Sequence, residues 1–164
     1  MVTSKMMRDL CAELATIEPH GKVQAVLLQS KGTDFCLGRD HALPKSVKIR
    51  TAMDRHQHVM SAILGTYRAF WHCPVPIISR VQGRAVGFGC GMLGASDIAI
   101  CGASARFALP EMKGGIPPTL VVTALQHVNR KAVAELVYSC REIDAQTALS
   151  IGLVSRVVPD GDLD

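Results

Sequence analysis

Between residues 3 and 17 the apolar positions Met6, Met7, Leu10, Leu14 and Ile17 recur at three-to-four spacing. That period predicts a helix over 3–17, with Thr3 or Ser4 able to cap its start. Pro19, His20 and Gly21 end it. The short run Val23-Gln24-Ala25-Val26-Leu27-Leu28 then reads as a buried strand. A loop over 30–40 and an irregular stretch over 41–48 follow. A second helical pattern covers about 50–71 and would bury Met53, Met60, Ile63, Leu64, Tyr67, Phe70 and Trp71. Cys73-Pro74-Val75-Pro76 stops that helix.

Beyond it the elements shorten. Ile77–Val81 reads as a strand, and a glycine-dense stretch follows with Gly83, Gly87, Gly89, Gly91 and Gly94. Asp97–Cys101 and Arg106–Leu109 read as a third and a short fourth strand. Helices are expected over 118–128, 130–138 and 144–151, and Leu153–Val158 closes the chain as a strand. Strands alternating with helices predict an α/β domain with parallel strands. No linker, low-complexity segment or internal repeat divides the 164 residues.

Composition narrows the function classes. Apolar residues make up 48% of the chain and mean hydropathy is +0.22. Yet no apolar run approaches the roughly 18 residues of a membrane helix, so the excess belongs to buried elements or to surface meant for a partner. Eighteen basic residues against fourteen acidic ones leave a net charge of +4. The bases are scattered, which argues against nucleic acid and suits a small anionic ligand. The first residues show neither a signal region nor a transit pattern, so the cytoplasm is expected. The six cysteines form no close pair and are expected as buried free thiols. His56 and His58 stand two apart, on different sides of a helix, which does not make a zinc site.

Two glycine loops carry candidate chemistry. In Phe35-Cys36-Leu37-Gly38-Arg39-Asp40, a glycine after a strand permits a tight turn that exposes the N–H of Arg39. In Val81-Gln82-Gly83-Arg84-Ala85-Val86-Gly87-Phe88-Gly89-Cys90-Gly91, the loop leaves a strand and opens a helix, whose first N–H groups carry partial positive charge. The glycines admit three readings: a dinucleotide fingerprint, room for close helix packing, or an oxyanion hole. The fingerprint would need glycine where Met92 stands, and a tighter turn than the five residues between Val81 and Gly87. Two convergent N–H sites would stabilise an enolate formed from a thioester. Glu111, directly after Pro110, stands either as a surface turn residue or as a group that moves a proton to or from carbon.

In order and spacing these segments, together with Pro74-Val75-Pro76-Ile77-Ile78, Ser96-Asp97-Ile98-Ala99-Ile100, Ala105–Glu111 and Ile151–Pro159, resemble the crotonase superfamily, the enoyl-CoA hydratases and isomerases. The resemblance runs over residues 1–164. It implies a spiral of ββα units that binds acyl-CoA thioesters. It also implies that the backbone N–H groups of Arg39 and Phe88 hold the thioester oxygen. Glu111 falls on the family's acid/base position. Leu37, Gly38, Asp40, Gly87, Gly91 and Thr119 fall on substrate-binding positions. No metal or redox cofactor is implied, because coenzyme A arrives with the substrate.

The departures from the family pattern matter as much. Hydratases of the family use two glutamates, and the first of them would fall on Gly91. A further acidic position of some branches falls on Thr119. One carboxylate serves a proton shuttle in double-bond isomerisation. It serves hydration only if other groups hold the water. Family members are also longer, with strands before the first helix and, beyond Asp164, helices that close over the acyl site and build a trimer or a hexamer. The expectation is therefore an enolate-stabilising enzyme covering the core of the fold, or else a non-catalytic remnant that binds acyl-CoA or assembles with relatives.

Overall fold

The computed structural model describes residues 1–42 and 47–163; part of the stretch read as irregular lies outside them. Helix α1 spans Ser4–Leu14, and Thr3 caps it by accepting the Met6 N–H at 3.2 Å. It buries Met7 and Leu14 but leaves Met6 exposed, and residues 15–17 turn off the helix axis. Strand β1 is only Val26–Leu28. It is an edge strand, and Leu27 is 57% exposed, so the expectation of a buried strand is corrected.

The long helix is interrupted. Helix α2 (Ala52–Arg55) is held by a capping box in which Thr51 and Asp54 exchange backbone-to-side-chain bonds of 3.1 and 2.8 Å. A π-helical turn, His56–Met60, separates it from helix α3, Ser61–Trp71. A π-turn shifts the helical phase by about one residue, or roughly 100°. Met53 therefore leaves the face that Ile63, Tyr67 and Phe70 bury, and it is exposed, as is Trp71 at the end of α3.

Strand β2 (Ile77–Val81) alternates buried and half-buried positions. Strand β3 (Arg84–Val86) lies inside the glycine-dense stretch, where no strand was expected, and leads into helix α4, Phe88–Ala95. Strands β4 (Ile98–Gly102) and β5 (Arg106–Ala108) follow, then a 3-10 turn over Glu111–Gly114 and helices α5 (Thr119–Ala124) and α6 (Arg130–Ser139). A two-residue strand β6 (Ile143–Asp144), unexpected from the sequence, precedes helix α7 (Ala145–Ser150), and β7 is Arg156–Val158. Leu153 and Val154 are buried but hydrogen-bond to Ala148 O rather than to the sheet, so the last strand is shorter than expected.

The strands form two sheets. One is fully parallel in the order β1-β2-β4-β7; the other runs β3-β5-β6, with only β5·β6 antiparallel. Consecutive strands alternate between them, β2 to β3 and β4 to β5, before a helix closes each unit. This is the spiral of ββα units expected for the core of the family. Helix α4 is buried on every side, so it forms the centre of the molecule rather than a wall.

Candidate active site

Three extended segments run side by side and end at one level. Cys36 bridges Ala85 in parallel, with Cys36 N–H donating to Arg84 O at 3.0 Å and Val86 N–H to Cys36 O at 2.8 Å. On the other flank β3 pairs with β5, Val86 opposite Ala108. Cys36, Ala85 and Phe107 stand level; Arg39 lies three residues past the first, Phe88 three past the second and Glu111 four past the third. The register therefore delivers all three predicted catalytic positions to the carboxyl ends of parallel strands, where α/β folds place their sites.

The turns there are built by glycine. Gly38 has φ +97° and Gly87 has φ +53°, a region that side chains other than glycine rarely enter. Gly87 donates its own N–H to Ala108 O at 2.9 Å and caps α4 without a side chain. Phe88 is then the first residue of the helix. Among the described residues, neither the Phe88 N–H nor the Arg39 N–H donates a hydrogen bond.

Glu111 opens the 3-10 turn after Pro110. A Cβ built on Gly87 would collide with its Oε1, so the carboxylate lies directly over the start of α4. Its Oε2 is buried and has no hydrogen-bond partner among the described residues. Burial raises the Glu111 pKa, against a smaller lowering by its own backbone N–H. A half-buried carboxyl of raised pKa can both take and return a proton.

One group at this place belongs, by its helical spacing alone, to the core. Tyr67 is fully buried, its ring stacked on Phe88 with centroids 5.7 Å apart and 28° between planes, and tilted against Trp71 at 6.1 Å. Its hydroxyl stands against the Cα of Gly91, where a Cβ would collide with it. That hydroxyl also has no partner among the described residues. The sequence signal was present but weak: a tyrosine on a buried helical stripe carries an O–H that an aliphatic residue would not.

The loop bearing Arg39 is anchored from behind. Asp34 accepts the Arg84 backbone N–H at 2.9 Å and its Nε and Nη2 at 3.0 and 3.1 Å, and Arg84 holds the Asp34 carboxyl below the usual range. Phe35 N–H donates to Gln82 O at 2.9 Å. The remaining predicted residues sit less centrally. Leu37 is exposed; Asp40 accepts the Ala42 N–H at 2.9 Å and donates its own N–H to Val2 O at 2.8 Å. The Arg39 guanidinium folds back onto Asp40 O and His41 Nδ1. Thr119 is exposed at the start of α5, with no hydrogen bond to Glu111. A cleft of about 750 Å³ between α1 and the α2–α3 helix includes Asp40 but neither Glu111 nor Gly87.

The packing reading of the glycines holds for Gly89 and Gly91, whose missing Cβ atoms make room for Cys36 and Tyr67. All six cysteines are free, and four are buried. Among the described residues no group of three or more His, Cys, Asp or Glu side chains could hold a metal ion, and no helix is long and apolar enough to cross a membrane.

An α/β spiral with a buried central helix, two backbone donors without an acceptor among the described residues and one carboxylate at the strand ends defines a fold class with many known members. The family model of the enoyl-CoA hydratase/isomerase family matches residues 1–164, and the chain belongs to that family. It is 32% identical over 159 residues to the mitochondrial enoyl-CoA hydratase domain-containing protein 3 of Xenopus laevis, covering 96% of this chain and 53% of the relative. It is 28% identical over 168 residues to an indene-carboxyl-CoA hydrolase of Mycobacterium tuberculosis, covering 99% and 64%. The crystal structure of a Mycobacterium smegmatis enoyl-CoA hydratase superposes with a TM-score of 0.88 at 29% identity, covering 99% of this chain and 63% of that one. The chain thus spans between half and two thirds of the length of these relatives.

Proposed function

We propose that this chain carries the enolate-forming site of an acyl-CoA enzyme. The thioester carbonyl oxygen accepts hydrogen bonds from the Arg39 and Phe88 N–H groups, and Glu111 moves a proton at the carbon chain beside the thioester. The observation that carries this reading is the common register, which brings Arg39, Phe88 and Glu111 to the ends of three adjacent parallel segments. The two donors belong to backbone, so the arginine and phenylalanine side chains at these positions are no obstacle. Charge developing on the oxygen in the transition state meets fixed dipoles that need no reorganisation, the first turn of α4 among them.

Glu111 then supplies what the donors cannot. A neutral thioester hydrogen is a poor acid; binding its oxygen makes the enolate accessible, and a carboxylate of raised pKa accepts the proton more readily than an exposed one would. Coenzyme A arrives and leaves as part of the substrate, and no other cofactor takes part. Association into a trimer or hexamer belongs to the same proposal; sedimentation showing only monomer would contradict it. The site itself is tested by Glu111→Gln. Acyl-CoA binding should survive while turnover of an enoyl-CoA falls at least about a hundredfold. An unchanged rate would remove Glu111 from the mechanism.

A further inference from the structure

We propose that the Tyr67 hydroxyl replaces the missing carboxylate at Gly91 and, with Glu111, holds the water that adds to an enoyl thioester. The proposal rests on the enolate reading above and extends it to hydration. Its basis is a pair of buried oxygens, Tyr67 Oη and Glu111 Oε2, that find no partner among the described residues. Buried polar atoms are ordinarily hydrogen-bonded, so two unpaired oxygens over glycines one helical turn apart mark a place built for a polar ligand atom.

Their spacing follows from the helix beneath them. Glu111 Oε1 lies over Gly87 and Tyr67 Oη over Gly91. These glycines are linked by the bond Gly91 N–H to Gly87 O at 3.1 Å. Four residues of helix advance about 6 Å. Two hydrogen bonds of about 2.8 Å span a similar length, which is the reach that one water between the carboxylate and the phenol needs. The phenol is fixed in place by Phe88 and Trp71 around its ring. It also explains the glycine: the hydroxyl fills the space in which a side chain at position 91 would begin.

The chemistry follows from protonation. Burial, reinforced by Cys90 and Glu111, pushes the Tyr67 phenol far above its ordinary range, so it keeps its proton and orients rather than acts as a base. In the step proposed, the water oxygen bonds to the β carbon of the enoyl thioester and one water O–H bond breaks, its proton passing to the Glu111 carboxylate. The π electrons become the enolate held by Arg39 and Phe88. Glu111 then returns the proton to the α carbon. One water is added, and Glu111 and Tyr67 finish as they began.

The test uses the full chain with Tyr67→Phe, which keeps the ring and its packing. Three readouts are followed: crotonyl-CoA hydration, exchange of the α protons of butyryl-CoA with deuterated water, and calorimetric binding of 3-hydroxybutyryl-CoA against butyryl-CoA. Tyr67→Phe should lower the hydration kcat about tenfold or more, the loss of one hydrogen bond in a buried site. KM and α-proton exchange should stay within about twofold of the parent chain. The parent should prefer the hydroxylated thioester, and the variant should lose that preference. Hydration at the parental rate in the variant would overturn the proposal. Equal loss of exchange and hydration would too, since that marks a structural role. If the parent chain exchanges α protons but does not hydrate, the Tyr67 proposal falls and the enolate reading stands. If it exchanges none, both fall.

Discussion

The Glu111 carboxylate rests on the bare Cα of Gly87, the residue whose φ of +53° turns the chain from β3 into α4. One glycine thus does two things. It turns the backbone so that α4 begins at Phe88, and it leaves room for the acid over that turn. The carboxylate and the start of α4 share one small place because Gly87 has no side chain.

Gly87→Ala should therefore be costly in two ways. The left-handed backbone is strained for alanine, and the new methyl group meets Glu111 Oε1. We expect a stability loss of about 1–3 kcal/mol and loss of α-proton exchange. Denaturant unfolding and exchange by NMR check the two effects separately. A stable, active variant would mean that the turn and the acid are less tightly fitted than described.

Burial of Glu111 makes stability depend on pH with a definite sign. Its folded pKa is raised above the ordinary value of 4.5, so the folded chain holds the proton more tightly than the unfolded one. Its contribution is fully present below about pH 4.5 and is lost as pH rises through the folded pKa. Glu111→Gln removes that dependence. The variant should gain on the parent chain between acid and neutral pH, measured by urea unfolding at several pH values.

Asp34 gives the opposite slope. Its pKa is lowered mainly by the hydrogen bonds from Arg84, so its contribution is present above the ordinary carboxylate range and fades as pH falls through the lowered value. Asp34→Asn should be less stable than the parent at neutral pH, with the gap closing in acid. Because Asp34 anchors the loop that carries Arg39, α-proton exchange should also slow by several-fold.

Gly91 and Tyr67 should be energetically coupled. Alanine at 91 collides with the phenol oxygen and crowds the ring behind it, at 2.9 Å from Cζ. Gly91→Ala alone should cost about 1–3 kcal/mol, as overpacking does. In a Tyr67→Leu background, which removes the ring, it should cost less. A double-mutant cycle with strictly additive effects would show that the two do not meet.

Much of the fold was legible where periodicity and caps agreed. Ile77–Val81 forms the strand expected there, and Thr3 caps α1 as its position suggests. What was missed lacks either signal. Strand β3 is three residues between Gly83 and Gly87 and β6 is two residues, too short to show a period. The π-turn over His56–Met60 shifts the helical phase without marking the sequence, so Met53 was assigned to a face it does not share. Motif order alone singles out Arg39, Phe88 and Glu111 as candidates, and the register places all three at the ends of neighbouring segments. Tyr67 was hidden because a buried tyrosine and a buried phenylalanine occupy helical stripes alike; only the Cα of Gly91 facing its hydroxyl sets it apart.

Whether Glu111 moves the substrate proton is read from the exchange of butyryl-CoA α protons with deuterated water, followed by NMR on the full chain and on Glu111→Gln. Exchange well above the uncatalysed rate is expected in the parent chain, with a fall of at least about a hundredfold in the variant and acyl-CoA binding preserved. Equal exchange by both chains would contradict it, because the proton would then move without Glu111.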